Sequence, residues 1–277
     1  MIGSSQSSNL FIEPVFATSM SDYIHQRIPG RRVDGCFLWR RGLDEIGTPR
    51  GSPAAYVKRI LPRYIRGDFA KAQDHIPHNI LQVMDAETGG LGYQDAVMLQ
   101  LGTLSVYRGE VVAKQFIMTS PLEEKRVIDA YFAFSSKNTG LVTFNGKAFD
   151  ETRLRRRARE HGHKQLPFTQ KYDVLKAFRR FSRRAGMDSA RLMSFEEVAF
   201  PRFERKEDVP GRLIPPTWAE YVDPGSSKGL YARLVEEYDF EDEKPGDLLV
   251  KSISHCVYDI LTTMACYLMV LEEQART

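Results

Sequence analysis

Asp85 and Glu87 stand two residues apart at the end of the apolar run NILQVMDAET, residues 79–88. On a strand, residues i and i+2 point to one face, so the two carboxylates project together. Unpaired carboxylates at the end of an apolar strand repel each other and resist desolvation, a cost that a cation between them removes. Gly89 and Gly90 then turn the chain away and leave the strand end open. A second pair, His255 and Asp259, is spaced i,i+4 in SISHCVYDILTTM and shares one helix face with Ile253, Val257, Ile260, Leu261, Met264 and Leu268 close by. An acid on so apolar a helix needs a partner. Asp150 follows another apolar run, LVTFN, where it starts the arginine-rich segment DETRLRRRARE. Taken singly, each has a plain alternative: Asp85 and Glu87 in a solvated loop, His255 and Asp259 satisfying each other, Asp150 as a first-turn helix acid.

The elements that must position these residues are legible from about residue 79. NILQVMDAET, AVMLQLGTLSVY and EVVAKQFIM read as three strands, the last two joined by RGE in a hairpin. SPLEEKRVIDAYFAF reads as a helix with Ser120 as N-cap, Pro121 in its first turn and Glu123 closing a capping box. LVTFN is a further buried strand, and AFDETRLRRRAREHG a helix closed by Gly162. Helices are expected near 173–185, 190–198, 227–237 and 249–272, with RKEDVPGRLIPP as a loop. The order predicts an α/β fold with a mixed sheet, its first three strands linked by hairpins and flanked by helices. A purely parallel doubly wound sheet is excluded because those strands lack intervening helices. Residues 1–77 are expected to be a partly irregular N-terminal extension with one short helix at AAYVKRILPRYI, and 78–277 the main domain.

Composition is that of a globular protein, 42% hydrophobic and 27% charged, with a net charge of +3. The charge is unevenly spread. Residues 151–206 hold 16 Lys and Arg against 7 Asp and Glu, whereas residues 207–277 hold 6 against 14. Such asymmetry suits a face that meets a polyanion, although a solvated helix face has the same composition. Three cysteines, Cys36, Cys256 and Cys266, make no metal-type pair and suit a reduced cytoplasmic compartment. The N-terminus lacks the pattern of a signal peptide. Lys251, His255 and Asp259 interrupt the apolar C-terminal run before it reaches the ~18 residues of a membrane span, so it is expected to be a core helix.

Three segments taken together, MDAET, FNGKAFD and HCVYD, resemble in order and content the three motifs of the DEDD superfamily of 3′–5′ exonucleases, which have a ribonuclease H-like fold. The nearer resemblance is to bacterial YprB-like ribonuclease H-like domains, through TFNGKAFD, YDVLKAFRR and the loop RKEDVPGRLIPP before the histidine helix. It covers about residues 79–272. The resemblance implies that Asp85, Glu87, Asp150 and Asp259 bind two Mg²⁺ or Mn²⁺ ions and that His255 is the general base. It also implies a nucleic-acid substrate, single-stranded DNA before RNA, contacted by Thr88 and Asn145, with Arg157 matching an arginine of the family pattern. Two departures are visible: Cys256 stands where the family has Asn, and His255 lies four residues before the acid rather than five. Tyr258 is expected to face away from the site. Arg153, Arg155, Arg156, Arg157 and Arg159 cannot all be buried, so several are expected to track phosphates. Endonucleolytic or RNA-hybrid cleavage, or nucleic-acid binding without turnover, are the competing functions. The N-terminal extension is a candidate for docking a protein partner, and no membrane association is expected.

Overall fold

The computed structural model describes residues 30–33, 36–46, 49–89, 96–107, 109–136, 139–184, 186–187 and 189–276. Its organising element is strand β3, Leu81–Thr88, whose side chains alternate between two cores. Leu81 and Val83 pack into one cluster with the C-terminal helix, while Met84 and Ala86 pack into the other. Both faces of the strand are therefore buried, which is why it reads as a continuous apolar run.

The other strands are β1 (Gly30–Val33), β2 (Cys36–Gly42), β4 (Met98–Tyr107), β5 (Glu110–Ile117), β6 (Gly140–Thr143) and β7 (Gln170–Asp173). They form one seven-stranded sheet in the order β1-β2-β5-β4-β3-β6-β7. β3, β4 and β5 run antiparallel as a meander, and β6 and β7 are parallel to β3. The mixed, hairpin-linked sheet of a ribonuclease H-like fold is thus present. β3 is where the antiparallel half meets the parallel half, so the carboxyl ends of β3 and β6 open on the same edge, the usual place for a crevice in such sheets.

The helices are α1 (Pro53–Ile65), α2 (Glu124–Ser135), α3 (Asp150–Glu160), α4 (Leu175–Arg184), α5 (Leu192–Ala199), α6 (Ile214–Val222), α7 (Leu230–Glu237) and α8 (Pro245–Arg276). Val127, Ile128 and Tyr131 of α2 and Leu154 of α3 cover one face of the sheet, and α8 with α1 covers the other. The expected C-terminal helix is longer than its apolar run. It is long and apolar enough to cross a membrane by length and composition, and 72% of its most apolar stretch is buried within the protein.

Several elements differ from the sequence reading. Within the segment set apart as an extension, β1 and β2 extend the sheet, β2 pairing with β5, and α1 packs into the α8 core. Ser52 caps α1, its Oγ accepting from Ala55 N–H at 3.1 Å. Residues 170–173, in part expected to open a helix, form edge strand β7, and IPPTWAEYV, in part assigned to a loop, forms α6. Prolines in the first turn of α6 cost no helical hydrogen bond, so they do not prevent a helix.

α8 is fixed on the sheet by buried amides as well as by apolar contact. Gln115 Nε2 donates to Ile253 O at 2.7 Å, and Ser252 Oγ donates to Gln100 Oε1 at 3.3 Å. Gly102, opposite Asp85 in the β3–β4 register, admits the helix: a Cβ there would overlap Cys256 Sγ. Gly102→Ala is expected to cost about 1–3 kcal/mol by overpacking, and the double variant with Cys256→Ala to recover most of the loss in a thermal melt.

Candidate active site

The alternation that puts Leu81 and Val83 against α8 carries on through Asp85 and Glu87, so both acids face that helix. A register shift at Glu87/Thr88 interrupts the regular pairing with β4, which resumes at Thr88 opposite Met98. From α8, His255 and Asp259 point back at the strand: His255 Nε2 lies 3.9 Å from Glu87 Oε1 and 3.6 Å from Asp259 Oδ2. Asp150 arrives from the parallel half of the sheet. After β6 the chain turns tightly at Asn145, whose φ of 61° is in the left-handed region that Asn tolerates. Asn145 N–H donates to Asp173 Oδ1 at 2.8 Å, and its carbonyl accepts from Ala148 N–H and Phe149 N–H, both at 3.1 Å. This turn delivers buried Asp150 as the first residue of α3. Asp85, Glu87, Thr88, Asn145, Asp150, His255 and Asp259 all line one open cavity of about 520 Å³.

A family model for the RNase_H superfamily matches residues 83–270, a span that runs from β3 to near the end of α8 and includes every one of these residues. The chain belongs to the ribonuclease H superfamily. Over 160 residues it is 32% identical to the uncharacterized protein YprB of Bacillus subtilis (strain 168), an overlap of 55% of this chain and 38% of YprB. The chain therefore spans well under half the length of that relative.

The electrostatics of this ribonuclease H-like site are those of acids crowded together out of water. Burial, then the charges of Asp259 and Asp150, lift the Asp85 carboxyl well above the ordinary carboxylate range. Burial and the Asp85 charge push Glu87 up to about 8, and burial with the Glu87 charge pushes Asp150 up to about 8. Glu87 keeps 13% of its side chain accessible, by way of the cavity. Burial pulls His255 down, but Asp259, the hydrogen bond to Asp208 and Glu87 outweigh it and raise the imidazole to about 10.

The donor set fits a hard divalent cation, which takes carboxylate oxygens. Among the described residues Asp85 Oδ2 is buried without a hydrogen-bond partner, an orphaned acceptor in the acid cluster. Among the described residues no three His, Cys, Asp or Glu side chains close tightly enough to clasp an ion as they stand. One reason is Arg205, which holds Asp259: its Nη2 donates to Asp259 Oδ1 at 2.5 Å.

Arg205 and Asp208 belong to a network to which sequence reasoning gave no role. Arg205 is 5% exposed and grips Glu196 of α5 bidentately, with Nε and Nη2 each 2.8 Å from a carboxylate oxygen. Glu196 also accepts from the Thr262 hydroxyl on α8. Asp208 Oδ1 lies 2.8 Å from His255 Nδ1, which orients the ring and leaves Nε2 toward the acids. The available signal was an Arg and an Asp three apart in the loop before a helix whose acid lacked a partner. Tyr258 faces away as expected, its hydroxyl donating to Lys206 O at 2.9 Å.

The arginines of α3 are a correction. Arg157 does not line the cavity: its Nε donates to Glu124 Oε1 at 2.7 Å, and only 12% of its side chain is exposed. Arg153 donates to Thr88 Oγ1 at 2.6 Å with its guanidinium over the Phe149 ring. Arg155 pairs with Glu151, and Arg156 lies 3.8 Å from Glu160. The helix is basic in composition, but most of its charge is spent on intramolecular partners.

Proposed function

We propose that this chain is a metal-dependent 3′–5′ exonuclease that hydrolyses phosphodiester bonds at nucleic-acid ends, with single-stranded DNA favoured over RNA. The observation that carries the reading is the convergence of Asp85, Glu87, Asp150, His255 and Asp259 on one cavity, with a carboxylate oxygen of Asp85 left unpartnered. The four acids are the residues that would hold two Mg²⁺ or Mn²⁺ ions. Bound there, such ions supply Lewis-acid stabilisation of charge developing on the phosphate and make a water acidic enough to attack.

The chain's own groups supply the rest. Asp208 fixes His255 through Nδ1, so the imidazole presents Nε2 to the cavity as proton acceptor for the attacking water. Two of the carboxylates that raise His255, Asp259 and Glu87, are ones that cations would neutralise, so the upward pull on the imidazole weakens as the site fills while the pull of Asp208 stays. Asn145 and Thr88 line the cavity where a terminal nucleotide would sit, Thr88 held by Arg153. A volume of about 520 Å³ is within the range of small-ligand clefts, roughly 300–1,000 Å³.

A 5′-labelled single-stranded oligonucleotide incubated with Mg²⁺ or Mn²⁺ is expected to give a ladder shortening from its 3′ end. Internal cuts would assign endonuclease action instead, and binding without cleavage would assign a non-catalytic role.

A further inference from the structure

A second cavity, of about 1130 Å³, runs along α4 and adjoins the acid site, since Asn145, Leu175 and Arg179 line both. Its lining is basic to a degree that internal pairing does not explain. Lys147, Lys176, Arg179, Arg180 and Arg183 are all exposed, and no ion pair joins any of them to an acid among the described residues. Lys171 and Arg184 add two more cations, paired with Glu151 and Glu273. The acids in the groove are engaged elsewhere. Asp173 accepts backbone N–H groups from Asn145, Lys147 and Leu175, and Asp74 accepts from Gln274 Nε2 at 2.6 Å.

The arrangement opposes helix stability. Lys176 and Arg180, Arg179 and Arg183, and Arg180 and Arg184 are like-charge pairs at i,i+4, which destabilise a helix. Cations in the last turn favour the helix dipole, which accounts for Arg183 and Arg184 and leaves the other three unexplained. Meanwhile Leu175, Ala177, Phe178 and Ser182 bury the opposite face, so the charged face is held rigidly at the surface. A row of cations, four of them without an acid partner among the described residues, on a helix packed by its other face and beside the proposed nuclease site, complements a phosphate backbone.

We propose that the groove along α4 carries the backbone of a single-stranded nucleic acid whose 3′ end lies in the acid cavity, so that α4, and not the arginine-rich α3, is the substrate track. This rests on the nuclease reading above. The test uses the full chain, a 5′-fluorescein 12-nucleotide single-stranded DNA and EDTA to prevent cleavage, with binding followed by anisotropy across a salt series. The triple variant Lys176→Ala/Arg180→Ala/Arg183→Ala is expected to bind about tenfold or more weakly, with the slope of log K against log salt reduced by about 2, three contacts at about 0.7 each. The α3 control Arg156→Ala/Arg159→Ala is expected to stay within about twofold of the parent. Circular dichroism checks folding, and the single charge reversal Arg180→Glu gives the same reading should the triple variant misfold. Parent-like affinity and salt slope in both α4 variants would overturn the track while leaving the nuclease reading intact. A parent protein that binds no single strand at all would overturn the nuclease reading itself, and stronger competition by duplex than by single strand would overturn the single-stranded assignment.

Discussion

The Asp85→Asn variant is expected to lose at least about three orders of magnitude in phosphodiester hydrolysis while folding as well as the parent or better. Asp85 feels the charges of both Asp259 and Asp150, and among the described residues its Oδ2 has no hydrogen-bond partner, so the amide removes the donor on which cation binding most depends. It also removes a charge that the metal-free protein tolerates poorly. Asp85, Glu87 and Asp150 are all raised in the folded state, the latter two to about 8. A carboxyl raised on folding binds its proton more tightly in the native state than in the unfolded chain, where it titrates near 4. The stability this contributes is therefore complete below about pH 4 and is lost as pH rises towards 8. His255, raised to about 10, acts in the same direction, its contribution fading as pH climbs from about 6.5. In EDTA the parent's melting temperature should fall between pH 6 and pH 9, and Mg²⁺ should raise it more at pH 8–9 than at pH 6, because cations and protons compete for the same oxygens. Both effects should shrink in Asp85→Asn. A parent whose metal-free melting temperature is flat or rising over that range would contradict the mutual repulsion of the acids.

What the sequence disclosed and what it concealed divide along contact range. The period-2 parity of β3 and the i,i+4 spacing of His255 and Asp259 are local geometry, so the shared faces of those four residues were legible. That the two faces meet depends on α8 lying across β3, which Gly102, Gln100 and Gln115 make possible from a neighbouring hairpin. Nothing in the local pattern of those residues announces it. β7 was missed because its four residues are polar and partly exposed, and only pairing with β6 makes them a strand. β1 and β2 were missed because the arginines of GRRV and CFLWRRG mask a strand that pairs with β5. The α3 arginines show the limit of charge as a signal. Composition located a basic segment, but Glu124, the partner that withdraws Arg157 from solvent, lies 33 residues away and could not be assigned from it.

Arg205→Met is expected to destabilise the fold by about 3–5 kcal/mol, because removing one member of a buried ion network leaves the others uncompensated. For a chain of this size that is a fall on the order of 10 °C in melting temperature. Arg205 neutralises Glu196 and Asp259 together and lies 3.5 Å from Asp208, so its loss also loosens the groups that hold His255. Two comparisons separate this account from simple loss of packing. Arg205→Lys keeps the charge but cannot reproduce a bidentate grip on Glu196 while reaching Asp259, so it should fall between parent and Arg205→Met. Adding Glu196→Gln to Arg205→Met removes a stranded charge and should restore part of the loss, a coupling that a double-mutant cycle reads directly. The same variant bears on the proposed cation site. Arg205 occupies Asp259 Oδ1, so Arg205 and a cation are rivals for that carboxylate. With Arg205 gone, among the described residues His255 alone faces Asp259 and leaves Oδ1 open to Mg²⁺, whose stabilising effect on melting should exceed that in the parent even though hydrolysis is impaired by the displaced loop. An Arg205→Met protein that melts like the parent, or gains nothing extra from Mg²⁺, would show that Asp259 is held by something other than this ion network.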